Sequence, residues 1–167
     1  MVDMKIDKVL LDNLLAEAAR NPRLRQNYDL RTHSTSSGQD LPEDSSQRML
    51  NALMPGTVLP IHRHTKTTET LVLLRGRMEE IFYEEDSESV RDGDSRCKDF
   101  CHRRVLRESS RVQLEAGGDV PGLSIPLGQW HTVNVLEPTV ILECKDGKYE
   151  PLPPEDMIEL KGYKDIS

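Results

Sequence analysis

The chain has 167 residues and a formal net charge of −7 at pH 7. This length predicts one domain, large enough to bury a core without help from a disulfide or a metal ion. The negative charge argues against a phosphate backbone as the main partner, so we expect no nucleic acid to bind. Hydrophobic residues make up 36% and charged residues 31% of the chain, which predicts a polar insertion or tail beside an ordinary core.

The N-terminal residues lack the uninterrupted apolar stretch of a signal peptide, because charged side chains recur through Met1 to Leu15. No run approaches the roughly 20 apolar residues of a membrane span. The three cysteines are an odd number and fit a reducing compartment better than a disulfide framework. We therefore expect a cytoplasmic protein with no membrane partner.

Helical spacing marks the start of the chain, where Ile6, Val9, Leu10, Leu14 and Ala18 recur on one face. Asn21 and Pro22 form a stop signal. The pattern predicts an amphipathic helix over residues 4–20, within an N-terminal helix and arm of residues 1–30. We expect the helix to pack on the body of the protein or on a second subunit.

Short β-forming segments separated by Gly and Pro turns fill most of the remaining chain. After a loop at residues 32–46, the predicted strands are 47–53, 58–64, 69–74, 78–83, 111–114, 123–125, 131–136 and 139–144. This arrangement predicts an all-β sandwich or barrel over residues 31–150. The charged segment 85–110 lacks periodicity and predicts a mobile insertion, either a long loop or an irregular hairpin. Residues 151–167 are expected to be a C-terminal extension.

Metal-ligand residue types cluster at His62, His64 and Glu69. In a strand, residues two apart point to the same face, so the two imidazoles project together. The polar residues 65–68 suit a bend that brings the carboxylate in from the next strand, and His131 opens a later apolar run after a Pro/Gly turn. We predict that His62, His64, Glu69 and His131 bind one divalent transition metal ion.

These residues carry a family resemblance. The first segment resembles the first cupin motif at all its defined positions, which are Gly56, His62, His64, Glu69 and Gly76. The second cupin motif is matched at its core by Pro126, Gly128 and His131. Two positions depart from that motif, because Val120 stands where it usually has Gly and Val135 where it usually has Asn.

The wider chain resembles a narrower group, the WbuC-type cupin metalloproteins associated with surface-polysaccharide gene clusters. The matching segments are residues 21–25, 47–50 and 143–149, with Lys148 where the group usually has Pro. The resemblance implies a double-stranded β-helix, also called a jelly-roll barrel, with one metal site. It also implies a homodimer, since pairing covers exposed sheet edges. The group has no settled activity.

The ligand set leaves the metal open, because Fe, Mn, Ni, Co and Zn all accept imidazole and carboxylate ligands. An octahedral ion would keep two positions for a ligand, whereas tetrahedral Zn²⁺ would be closed. Three functions follow: a cupin enzyme such as an isomerase or oxygenase acting on a small sugar-like molecule, a non-catalytic carbohydrate or anion binding module, or a structural metal. No catalytic acid or base stands out.

Three further residues are candidates for substrate contacts, each with a structural alternative. Arg48 can bind a carboxylate or phosphate with two hydrogen bonds, or be a charged residue on the exposed face of a strand. Lys145 can contact an anion, or simply belong to a hairpin turn with Asp146 and Gly147. Tyr149 is a further candidate for a substrate contact, with an ordinary structural role as the alternative. Trp130 could stack on a substrate, but strand alternation places it opposite His131 and favours packing.

Overall fold

The computed structural model describes residues 5–31, 46–86, 105–147 and 149–159. Within these ranges one helix, α1 (Lys8–Arg20), precedes the strands. The strands are β1 (Arg25–Asp29), β2 (Ser46–Leu53), β3 (Ile61–His62), β4 (Glu69–Arg75), β5 (Arg77–Asp86), β6 (Val105–Glu115), β7 (Gly122–Ile125), β8 (Trp130–Val135), β9 (Thr139–Asp146) and β10 (Met157–Ile158). A 3₁₀ turn, Pro154–Asp156, leads into β10. No helix in the described ranges is long and apolar enough to cross a membrane.

Two five-stranded antiparallel sheets form the body of the molecule. Sheet one has the order β1-β2-β9-β4-β7, and sheet two has the order β10-β3-β8-β5-β6. The chain crosses between the sheets at almost every connection from β2 to β10, so that successive strands face each other across the interior. This is the double-stranded β-helix of the cupins, and the predicted all-β jelly-roll fold with an N-terminal helix is confirmed.

The main core lies between the sheets. Strand alternation sends one face of each strand inward, as in β4, where Leu71 and Leu73 are buried and Val72 is exposed. Met78 and Leu114 meet them from sheet two. Burying each side chain of this size stabilises the folded state by about 1.5–3 kcal/mol. This stabilisation offsets the cost of polar side chains in another part of the interior.

A second core joins α1 to the outer face of sheet one. Leu14 and Ala18 of the helix pack against Leu50, Ala52 and Val140. The expectation that the helix packs on the body of the protein is therefore met. The predicted stripe was wrong at its start, since Ile6 and Val9 are 45% and 66% exposed.

Capping explains why the helix begins later than predicted. Asp7 is in extended backbone, and its side chain accepts a hydrogen bond from the Leu10 backbone N–H at 3.0 Å. An N-cap residue lies outside the helix, which starts at Lys8 instead of residue 4. Asn21 is the C-cap, as the stop signal predicts.

Paired strands occupy both ends of the segment predicted as a mobile insertion. Glu85 pairs with Leu106, and Asp86 with Val105, so residues 85–86 and 105–110 belong to a β5–β6 hairpin with a register shift after Phe82. Of the two alternatives predicted for the segment, the irregular hairpin fits these paired ends and the loop does not. The strand ends are largely solvent-exposed, so no alternation of apolar residues marks them in the sequence. Residues 87–104, and residues 32–45 of the loop predicted at 32–46, lie outside the described residues, while Ser46 already belongs to β2.

Other strands also differ from their predicted bounds. β1 was not predicted, and the strand predicted over residues 58–64 is reduced to Ile61–His62. Pro60 has no N–H to donate, and beyond His62 the backbone of Arg63 bonds to Asp156 while His64 accepts from Gly128. The C-terminal extension contains β10, which pairs with β3.

Candidate metal centre

Three parts of the barrel bring the predicted ligands together. His62 on β3 lies directly opposite His131 on β8, so both side chains leave the same face of sheet two. Glu69 is the first residue of β4 in sheet one, reached through the polar bend after His64. The ligand atoms of the four residues all lie within 4.8 Å of one another, which is a cluster that can hold a metal ion.

Distances within the cluster centre on Glu69. Its Oε2 lies 2.9 Å from His64 Nε2 and 3.8 Å from His131 Nε2. The ring centroids of His62 and His131 are 4.2 Å apart, and those of His62 and His64 are 5.2 Å apart. One carboxylate therefore faces the histidines across the gap between the sheets.

Backbone carbonyls orient two of the imidazoles. His62 Nδ1 lies 3.1 Å from the Pro60 carbonyl, and His131 Nδ1 lies 2.9 Å from that of Gln129. A carbonyl only accepts, so it selects the tautomer with hydrogen on Nδ1 and leaves Nε2 free as a donor atom for a metal.

Protonation also suits metal binding. Burial and the neighbouring His131 lower the pKa of His62 to about 3, and burial lowers the pKa of His131. Burial opposes ionisation of Glu69, but the close approach of His64 and the charge of Lys145 outweigh it and lower its pKa to about 2. At neutral pH His62 and His131 are neutral and Glu69 is ionised, which are the forms that bind a metal.

The residues present fit a divalent transition metal. Glu69 is 6% exposed, and its Oε2 accepts no well-aligned hydrogen bond from the described residues, although His64 is close. The Lys145 ammonium group lies 3.5 Å from this oxygen, and a bound metal cation would offset the cost of burying the charge further. Imidazole nitrogens and one carboxylate oxygen are a donor set for Fe, Mn, Ni, Co or Zn.

Lys145 borders the cluster. Its Nζ lies 3.3 Å from His64 Nε2, 3.5 Å from Glu69 Oε2 and 2.6 Å from Glu143 Oε1. The strand register explains this position, because Lys145 pairs directly with Glu69. Of the predicted substrate contacts, it is the one that reaches the ligand atoms.

A cavity of about 830 Å³ adjoins the cluster, and its walls include all four predicted ligands and Lys145. Tyr149 also lines it, although its side chain is 63% exposed. Arg48 is exposed on β2 and is not among the lining residues. The structure therefore places Arg48 away from the predicted site and the other two candidates beside it.

Trp130 packs on the side of the strand opposite His131. Its indole Nε1 donates to Glu85 Oε1 at 2.9 Å, and the Arg63 guanidinium lies 4.6 Å from the ring centroid. The residue is 3% exposed and does not line the cavity, in agreement with a packing role.

An ion pair behind the ligands was not predicted. Arg63, between the two histidines, donates from Nε to Asp156 Oδ1 at 2.7 Å, and Thr65 donates to Asp156 Oδ2 at 2.9 Å. Asp156 is 4% exposed. The position of Arg63 between two ligands was the available signal, but nothing in the sequence identifies a partner 93 residues away.

Gln47, Asn51 and Glu80 are polar residues inside the barrel that sequence reasoning missed as part of the site. Glu143 accepts from Gln47 Nε2 at 2.8 Å and from Asn51 Nδ2 at 2.6 Å. Glu80 is 0% exposed and lines the same cavity. Strand alternation could have found them, since Gln47 and Asn51 share the inward face of β2 with Leu53, and Glu80 follows the buried Met78 by two residues.

The chain therefore has the cupin fold with a candidate metal centre. Residues 6–93 match the family model described as "Domain of unknown function (DUF6016)". The chain therefore belongs to the DUF6016 family. No curated protein matches the sequence.

Solved structures similar to this chain include several cupin proteins. KdgF from Halomonas sp. is 12% identical, with a TM-score of 0.46 over 78% of this chain and 85% of that chain. The capsular polysaccharide assembling protein CapF from Staphylococcus aureus is 17% identical, with a TM-score of 0.46 over 71% of this chain but only 27% of CapF. A putative sugar phosphate isomerase from Acidithiobacillus ferrooxidans is 14% identical, with a TM-score of 0.45 over 74% of this chain and 60% of that chain. Similarity at this level leaves the reaction open.

Proposed function

We propose that this protein is a WbuC-type metal-binding cupin that binds or acts on a small oxygen-rich molecule, such as a sugar derivative, in surface-polysaccharide metabolism. The observation that carries the proposal is the cluster of three imidazoles and one carboxylate beside a cavity of about 830 Å³. Cavities of about 300–1,000 Å³ suit small molecules.

The residues around the cluster support binding of a polar ligand. A divalent ion held by His62, His64, Glu69 and His131 would supply a Lewis acid for an oxygen of the ligand. Lys145 adds a positive charge that can bind an anionic or carbonyl oxygen, and its contacts with Glu69 and Glu143 hold it at the edge of the cluster. Tyr149 can contribute a hydroxyl from the exposed side.

Metal content tests the site directly. Tag-free wild-type protein should take up one Mn²⁺ per chain by calorimetric titration and elemental analysis. His64→Ala and Glu69→Gln should weaken Mn²⁺ binding at least tenfold, because each removes one ligand. His33→Ala, a histidine outside the predicted set, is the matched control. Equal Mn²⁺ loading in all four proteins would refute the site.

A binding module and a structural metal site are the two alternatives to an enzyme, and their responses to metal and ligand distinguish them. A binding or sensing module would be stabilised by metal and by a ligand but would leave the ligand chemically unchanged. A structural metal would raise the melting temperature with no response to any small molecule. The cavity beside the cluster supports an enzyme or a binding module over a structural metal, because a purely structural site needs no adjoining space.

We further propose that the protein acts as a cytoplasmic homodimer. The support for the dimer is β6, an 11-residue edge strand of sheet two with a largely exposed surface. Long exposed edges are commonly covered by pairing with another chain.

A further inference from the structure

Glu80 is the most deeply buried acidic side chain that the metal cluster does not explain. It is 0% exposed, and neither carboxyl oxygen has a hydrogen-bond partner among the described residues. It lies on the inward face of β5, and the cavity beside the cluster reaches it. A buried carboxyl group with no partner destabilises a fold, so a bound ligand that satisfies it would explain why the residue is there.

Asn51, on the opposite sheet, also has a buried polar atom with no hydrogen-bond partner among the described residues. Its side chain is 8% exposed, and Nδ2 donates to Glu143 Oε2 at 2.6 Å. That bond fixes which way the amide points, and its Oδ1 is buried with no donor among the described residues. The residue lines the same cavity as Glu80. Two buried acceptors from facing sheets therefore border one space.

The surroundings of Glu80 decide which groups can satisfy it. Burial and the charges of Glu69 and Glu143 raise the pKa of Glu80 well above its ordinary value. A neutral carboxyl both donates and accepts one hydrogen bond, and the Asn51 oxygen only accepts. Hydroxyl groups match both, because each can donate and accept. A second anionic group would be repelled by the carboxylates nearby.

We propose that Glu80 and Asn51 form a subsite for ligand hydroxyl groups inside the barrel, so that the ligand is a polyhydroxylated molecule such as a sugar, a sugar acid or a polyol. This inference rests on the proposed function and assigns its ligand class. The positive charge of Lys145 lies at the metal cluster, so an anionic or carbonyl end of the ligand belongs there and the hydroxyl groups extend toward Glu80.

Matched probe pairs test the subsite. With Mn²⁺-loaded protein, glucuronate is compared with cyclohexanecarboxylate, and gluconate with hexanoate, by calorimetry. Each pair shares a carboxylate and a similar carbon frame but differs in hydroxyl groups. At least one hydroxylated probe should bind about tenfold more tightly than its partner, since one hydrogen bond to a buried group is worth about a factor of ten.

Variants then locate the effect. Glu80→Leu and, separately, Asn51→Ala should remove about tenfold in affinity for the hydroxylated probe and leave its unhydroxylated partner unchanged. Glu80→Gln keeps hydrogen-bonding groups and should lose less than about threefold. Glu79→Gln is the control, because it changes the adjacent carboxylate, whose partners Arg111 and Asn134 include exposed groups outside the cavity.

The melting temperature without ligand gives a readout that does not depend on the probe. Glu80→Leu should be as stable as wild type or more stable, because it removes an unpartnered buried group; a Glu80 with a purely structural role would give a large loss. Equal affinities within both probe pairs, or no binding of any probe, would overturn the subsite. Failure of Mn²⁺ to bind would instead overturn the proposed function, so the two results are distinguishable.

Discussion

Removal of Asp156 tests whether the C-terminal segment holds the metal ligands in place. Asp156 is buried and receives hydrogen bonds from the side chains of Arg63 and Thr65, and its backbone carbonyl accepts from the Arg63 N–H at 3.1 Å. Asp156→Ala removes both side-chain bonds but keeps the backbone bond. Since Arg63 separates His62 from His64, looser packing there should also disturb the ligands.

The cost follows from burial. Breaking a buried ion pair costs about 3–5 kcal/mol, but Arg63 keeps its contact with Glu85 at 3.1 Å and its side chain is 21% exposed. We therefore expect Asp156→Ala to lower the free energy of unfolding by about 3 kcal/mol. Loss of a group bonded directly to a metal ligand weakens metal binding by about 10–100-fold. Asp156 acts one residue away, through Arg63, so we expect Mn²⁺ affinity to fall by about tenfold, at the lower end of that range.

Urea unfolding of metal-free protein measures the first effect, and Mn²⁺ calorimetry measures the second. Glu155→Ala is the control, because it removes the neighbouring, exposed carboxylate and should change stability by less than about 0.5 kcal/mol. A double-mutant cycle with Arg63→Met isolates the pair. Equal stabilities for Asp156→Ala and Glu155→Ala, or unchanged Mn²⁺ affinity in Asp156→Ala, would refute the reasoning.

Three further predictions concern acid stability, a turn and assembly. The pKa of His62 falls from 6.5 to about 3 on folding. Between these pH values the unfolded chain binds a proton on His62 and the folded chain does not. The free energy of unfolding is therefore highest above pH 6.5 and falls by about 1.4 kcal/mol per pH unit as the pH drops from 6.5 toward 3. Urea unfolding of metal-free His62→Asn should show a weaker dependence of this free energy on pH, and an unchanged dependence would contradict the assignment. Gly76→Ala should lower the melting temperature well beyond Gly117→Ala, because both glycines have positive φ but only at Gly76 would a Cβ lie 2.3 Å from the Pro138 carbonyl oxygen; equal losses would show that backbone strain alone matters. Light scattering should give the mass of a dimer, and a monomeric mass at working concentration would refute the proposed assembly.

Local patterns in the sequence were enough for the general fold and for the ligand cluster. His62 and His64 are two residues apart, so any strand places them on one face. Glu69 and His131 lie at the starts of later strands, just after turn-forming residues. Their positions could therefore be predicted without knowing exactly where each strand ends. The helix was predictable for the same reason, although its first turn was not, because the Asp7 cap outweighed the apolar pattern that included Ile6.

Pairing between distant strands decided the rest. The β5–β6 hairpin extends through charged residues because cross-strand bonds and ion pairs such as Arg107 with Asp86 hold it, and these leave no alternation in the sequence. Strand pairing also decided which of the predicted substrate contacts lie near the cluster. Register sets Lys145 opposite Glu69, whereas Arg48, one residue past the inward-facing Gln47, is exposed.

The sequence by itself determined which residues can serve as metal ligands, because residue type and strand periodicity are local properties. Only the tertiary structure showed that Asp156 bonds to Arg63, which lies between His62 and His64, and that Glu80 and Asn51 have buried polar atoms with no partner among the described residues. The physical reason is that burial and hydrogen bonding are properties of a residue's neighbours in space, and here those neighbours come from opposite sheets.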